Sequence, residues 1–129
     1  MSSSDSTSGQ TPGPEGLEIL RLDAKNALLV PAGGLDGDQL HALLHQGVLS
    51  LTADGVTGLV VDMRAFSLLD STGLGALVSC HAEVAGMDGV RLVLTGVSAS
   101  LRHTLSRAML LQVLRVYETV ERAFAALRS

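Results

Sequence analysis

Leu59-Val60-Val61-Asp62-Met63-Arg64-Ala65-Phe66-Ser67-Leu68-Leu69-Asp70-Ser71-Thr72-Gly73-Leu74 decides how this chain folds. It opens on an apolar run, breaks at a short loop, and places Asp-Ser-Thr-Gly where a helical hydrophobic period begins. In physical terms it is a buried strand feeding a helix whose first turn carries two hydroxyls and a carboxylate. A helix N-terminus presents unpaired N–H groups and about half a positive charge, so it accommodates an anion.

Toward the C-terminus, Leu74, Leu77, Val78, His81 and Ala85 share one helical face, which ends at Gly86 and Gly89. Val90–Leu94 reads as a strand. Ser98 can cap a helix bearing Leu101, Leu105, Ala108 and Met109. Leu111–Tyr117 then reads as a last strand, and Thr119 caps a closing helix with Val120, Ala123, Phe124 and Leu127 on one side. Toward the N-terminus, Leu40, Leu43, Leu44, Val48 and Leu51 mark a helical face. A glycine-rich loop, Ala32–Asp38, precedes it. Before that loop, Leu17–Leu22 and Ala27–Val30, separated by a turn at Asp23–Asn26 and stopped by Pro31, read as a hairpin.

Residues 1–16, rich in Ser, Thr, Gly and Pro, are expected to be a flexible tail outside the fold, and residues 17–129 the folded domain. The predicted order is β-β-α-β-α-β-α-β-α. Strands separated by helices pair in parallel, and the initial hairpin makes the sheet mixed. The expectation is a single α/β domain with a mixed, mostly parallel β-sheet and about four α-helices.

A length of 129 residues suits one domain, and 47% hydrophobic against 17% charged residues is enough to bury a core. Phe66, Tyr117 and Phe124 are the only aromatics, so that core is built from Leu, Val and Ala. A net charge of −4 without stacking aromatics argues against nucleic acid as a partner. Cys80 is the sole cysteine, which excludes an intrachain disulfide and a cysteine-based zinc site. No apolar run approaches the ~20 residues of a membrane span. The start Met1-Ser2-Ser3-Ser4-Asp5 lacks the features of a signal peptide, and a cytoplasmic location is expected.

Several other signals are weak. His41 and His45 are four residues apart but lack the glutamate of a zinc-protease helix, and they flank the apolar face as boundary residues. His81 falls within the apolar face of its helix and is expected to be partly buried and hydrogen-bonded. Cys80 has no neighbouring cation and reads as an inert thiol. Arg102 and Arg107 suit a solvated helix face. Gly33-Gly34 matches no phosphate loop, and Lys25 is the only lysine, so neither a nucleotide nor any other cofactor is expected. A hydrolase using Ser71 is disfavoured, because Gly-x-Ser-x-Gly is missing and no histidine is near in sequence. The chain is therefore read as a non-enzyme.

That leaves Asp70-Ser71-Thr72-Gly73. Such residues commonly serve as a helix cap. Three polar groups are packed together here, however, and Phe66, Leu68 and Leu69 beside them are expected to lie partly exposed, as on an interaction surface.

Asp70-Ser71-Thr72-Gly73-Leu74-Gly75-Ala76-Leu77, preceded by the strand Leu59–Asp62 and by Phe66, resembles the signature of STAS domains, and within them bacterial anti-sigma factor antagonists. Gly33-Gly34-Leu35-Asp36 resembles the loop after the family's second strand, and Leu92–Val97 its later strand and turn. The likeness runs from about Leu17 to Leu127. It implies a protein that binds a serine-kinase anti-sigma factor and so frees a sigma factor, regulating transcription in settings such as stress response or sporulation. It also implies phosphorylation of Ser71 by that kinase, with Thr72 a second candidate acceptor, and reversal by a serine phosphatase. Partner contacts are implied at Asp36, Phe66, Leu68, Leu69, Asp70, Ser71, Thr72, Gly73 and Leu74. Gly34 departs from the family's common Glu, and Thr72 replaces a Ser. A STAS scaffold in a signalling complex or a membrane transport system is the alternative role.

Overall fold

The computed structural model describes residues 10–11 and 15–128. Leu17–Arg21 (β2) and Asn26–Pro31 (β3) form an antiparallel hairpin running from Leu17↔Pro31 to Arg21↔Ala27. Asp23 closes its turn: the backbone N–H groups of Lys25 and Asn26 donate to Asp23 Oδ1 at 2.8 and 2.9 Å. Those bonds, the one from Lys25 first among them, favour the ionised carboxyl and hold its pKa below the usual aspartate value. Pro31 is the last residue of its strand, where its missing N–H costs little.

Gly37–Ala53 (α1) leads to Gly58–Asp62 (β4), Ser71–Ala85 (α2) to Arg91–Thr95 (β5), and Ala99–Arg107 (α3) to Val116–Tyr117 (β6), with Val120–Arg128 (α4) closing the chain. β3, β4, β5 and β6 are successive parallel neighbours. The expected five strands and four helices are all present in the expected order.

Every residue of β4 is buried, as the continuous apolar run demands, because both faces of the sheet are covered. Leu59, Val61 and Met63 join the main core with Leu40, Leu44, Val48 and Leu51 of α1, Leu77 and Val84 of α2, and Leu101 and Leu105 of α3. Val60 faces the other way, into a smaller cluster with Leu28, Val93 and Ala123 of α4. Three helices thus lie on one face and α4 on the other. Among the described residues, no helix is long and apolar enough to cross a membrane.

Two expectations need correction. Gln10–Thr11 (β1) pairs antiparallel with β2 at the sheet edge, so part of the expected tail belongs to the sheet. The remainder of that tail, apart from Glu15 and Gly16 at the entry to β2, lies outside the described residues. The last strand is also shorter than Leu111–Tyr117. A 3₁₀ turn occupies Leu110–Gln112 after Met109, whose φ of 62° ends α3 in the left-handed region. Leu110 and Leu111 pack on the main core and Leu114 is buried, while Val113 is 47% exposed. Burial at 110, 111 and 114 follows a turn of helix, not the alternation of a strand.

Candidate functional site

The loop between β4 and α2 is held at both ends. At its start the buried Asp62 carboxylate accepts the Arg64 N–H at 3.0 Å and Arg64 Nε at 2.8 Å. Near its end the Ser67 carbonyl accepts the Ser98 hydroxyl at 3.0 Å, while Ser98 Oγ itself accepts the Leu101 N–H at 3.0 Å and so caps α3. The loop therefore delivers α2 in one orientation.

At the start of α2, Asp70 is the cap: its Oδ1 accepts the Gly73 N–H at 2.8 Å. Ser71 is the first helical residue and is exposed, and its hydroxyl bonds to no described residue. The carboxylate does the capping, which leaves the hydroxyl free at the positive end of a helix of 15 residues.

A second helix start adjoins the first. Asp36 caps α1 through a reciprocal box: Gln39 N–H donates to Asp36 Oδ1 at 2.8 Å, and Asp36 N–H donates to Gln39 Oε1 at 2.9 Å. Gly37 follows, buried against Thr72, and a Cβ there would stand 2.6 Å from the Thr72 carbonyl carbon. The absence of a side chain at 37 is what lets the two helix starts touch. Asp36, Leu68 and Asp70 consequently rim one shallow depression of about 390 Å³, whose walls include Leu35, Leu40, Phe66 and Leu69.

The nine residues expected to form the partner surface divide in two. Asp36, Leu68, Asp70, Ser71 and Thr72 are exposed, Leu68 at 61%. Phe66 is not partly exposed as expected: at 6% exposure it joins the main core, and the half-buried Leu69 and Leu74 pack against that core. Gly73 is buried, with Leu69 where a Cβ would project. Sequence reasoning missed Gly37, whose only signal is a glycine between two aspartates, and the bond from Ser98 to Ser67, since Ser98 shows in sequence only as a cap.

The other candidates fall away from this surface. Burial, with Glu83 adding a smaller push, raises the Cys80 thiol to about 12, which makes it unreactive. His45 Nδ1 meets Glu83 at 2.7 Å across α1 and α2, and its ring stacks on His41. His81 is half-buried, but its side chain hydrogen-bonds to no described residue, contrary to expectation. Among the described residues, no group of His, Cys, Asp and Glu is placed to hold a metal ion.

A model of the STAS domain matches residues 20–123 of the chain. The chain belongs to the STAS family. Its fold is shared by solved structures of very different sequence. An anti-sigma factor antagonist from Mycobacterium paratuberculosis is 21% identical with a TM-score of 0.72, the match covering 88% of this chain and 93% of that one. The Bacillus anti-sigma factor antagonist SpoIIAA, in its unphosphorylated form, is 19% identical with a TM-score of 0.68 over 87% and 96% of the two chains. The murine Solute Carrier 26 family member A9 anion transporter matches at 16% identity and a TM-score of 0.70, over 84% of this STAS domain but only 18% of the transporter. No curated protein matches the sequence.

Proposed function

We propose that this STAS domain is an anti-sigma factor antagonist. It binds a serine-kinase anti-sigma factor through the surface around Ser71, frees a sigma factor to direct transcription, and is switched off by phosphorylation of Ser71 until a serine phosphatase removes the phosphate. One observation carries the reading: Ser71 stands exposed at the first position of α2 with its hydroxyl unused, because Asp70 supplies the cap. SpoIIAA is also known in a phosphorylated form, which supports a fold of this kind accepting a phosphate.

The chemistry suits a switch that acts on the partner rather than on the fold. A phosphate adds about −1.5 to −2 charges and three acceptor oxygens. The free N–H groups and dipole at the start of α2 tolerate it. A docked partner does not, since the phosphate joins Asp36 and Asp70 on the same surface and must lose water to be covered. A penalty of ~3 kcal/mol is within the range for a buried mismatched charge and is more than a hundredfold in affinity.

Incubation with the cognate kinase and ATP, followed by intact-mass and peptide mapping, is expected to place one phosphate on Ser71. Ser71→Ala should bind the anti-sigma factor constitutively, and Ser71→Asp should bind at least about a hundredfold more weakly with its melting curve unchanged. Equal affinity of Ser71→Asp and wild type would defeat the switch. The second reading, a STAS module serving a membrane transport system, is favoured by the likeness to the murine anion transporter and to a sulfate transporter family protein from Wolinella succinogenes. Co-purification with a transporter, and with no anti-sigma factor, would select it.

A further inference from the structure

β6 leaves part of the β5 edge uncovered. It pairs with β5 only at Leu94↔Val116 and Thr95↔Tyr117. Two bonds fix which way the β5 peptide groups point. Arg91 N–H donates to Thr57 O on the β4 side at 2.8 Å, and Leu94 N–H donates to Arg115 O on the β6 side at 2.8 Å. Successive residues of a strand alternate in this respect. The N–H and C=O of Leu92 therefore point to the β6 side, where no described residue bonds either of them. Leu92 is buried at 7% exposure, and buried backbone groups nearly always have partners.

These two groups open onto a groove of about 320 Å³ between the C-terminal half of α2 and the end of α4. His81, Arg91, Val113, Arg115 and Tyr117 line it, and among the described residues no acidic one does, in a protein whose net charge is −4. Arg91 Nη2 already donates to the Ala126 carbonyl at 2.9 Å, whereas the Arg115 side chain bonds to no described residue.

We propose that this edge of β5 is a docking site for an extended, carboxylate-bearing peptide segment of a partner protein, added as a strand beside Arg91–Val93. The incoming main chain accepts from Leu92 N–H and donates to Leu92 C=O, as in other cases of strand addition. Its Asp or Glu side chains meet Arg115 and the free donors of Arg91. A second copy of this chain is a poor occupant, because edge pairing across a two-fold axis would set the arginines against their own copies. His81 lies about 15 Å along α2 from Ser71, so a bound peptide leaves the Ser71 surface open.

Selection of displayed random peptides on the full chain, counter-screened on Arg115→Glu, tests the site. Enriched peptides are expected to be rich in Asp and Glu and to shift the Leu92 and Arg115 amide resonances. They should lose at least about tenfold in affinity for Arg115→Glu. A single N-methyl group on the peptide residue that donates to Leu92 C=O should also cost about tenfold, with the charge unchanged. That second comparison uses wild-type protein and stands even if Arg115→Glu fails to fold. The proposal is overturned if no acidic peptides are enriched, if binders shift the Ser71 surface instead, or if N-methylation at every position leaves binding intact. A dimer whose formation displaces the peptides and is abolished in Arg115→Glu would assign the edge to a second copy, and that too overturns it.

Discussion

At the start of α2 two adjacent side chains divide the work. Asp70 Oδ1 holds the Gly73 N–H at 2.8 Å, and the Ser71 hydroxyl bonds to no described residue. Asp70→Ala should therefore cost about 1 kcal/mol of stability, the usual loss for an N-cap. Ser71→Ala should stay within ~0.5 kcal/mol of wild type, as surface changes do. Denaturant unfolding of both variants measures the difference. The opposite ranking would make Ser71 the cap and remove the reason for regarding its hydroxyl as free. At the proposed partner surface the same division means that Ser71 can change its chemistry without disturbing the helix beneath it.

Glycine decides how the elements meet. At Gly37 a Cβ would come within 2.6 Å of the Thr72 backbone, so one helix start must move away from the other to make room. Gly37→Ala should destabilise by about 1–3 kcal/mol, the range for overpacking, and, on the proposed function, should weaken anti-sigma factor binding by moving Asp36 away from Ser71. Gly75 is the contrasting case. It is exposed inside α2 and a Cβ there meets nothing within 4 Å, so Gly75→Ala should stabilise by about 0.5–1 kcal/mol through the lower entropy of the unfolded chain. Thermal unfolding of the pair checks both signs. Two destabilised variants would mean that α2 is not the continuous helix described.

For the molecule as a whole, Cys80 reports on global unfolding. It sits at 3% exposure where α2 faces the sheet, with its thiol raised from 9.0 to about 12. Below about pH 9 the thiol is neutral folded and unfolded, and its ionisation does not affect stability. Between about 9 and 12 the unfolded chain releases the proton and the folded one keeps it, so stability falls as pH rises. Wild type should lose stability over that window faster than Cys80→Ala, in denaturant titrations run side by side. Alkylation of Cys80 at neutral pH should proceed only as fast as the domain opens. Rapid alkylation in the native state would contradict the burial.

The sequence alone determined the element order, the strand at Leu59–Asp62, the helix faces of α1 and α2, and Asp70-Ser71-Thr72-Gly73 as a helix start. These follow from hydrophobic period and cap chemistry, which act over a few neighbouring residues. Its reading failed where burial depends on residues distant in the chain. Phe66, which follows the strand, reads as partly exposed, yet the loop folds back and puts the ring in the core. Leu111–Tyr117 looked like a strand until its leucines followed the core at helical spacing. Gln10–Thr11 showed no apolar pattern, and pairs through main-chain bonds that any side chains permit. Only the tertiary structure decided that Asp70 rather than Ser71 caps α2 and that Gly37 brings Asp36 to its side. It also decided that the Leu92 edge stands open, since each of these is a matter of distance between groups and not of their order along the chain.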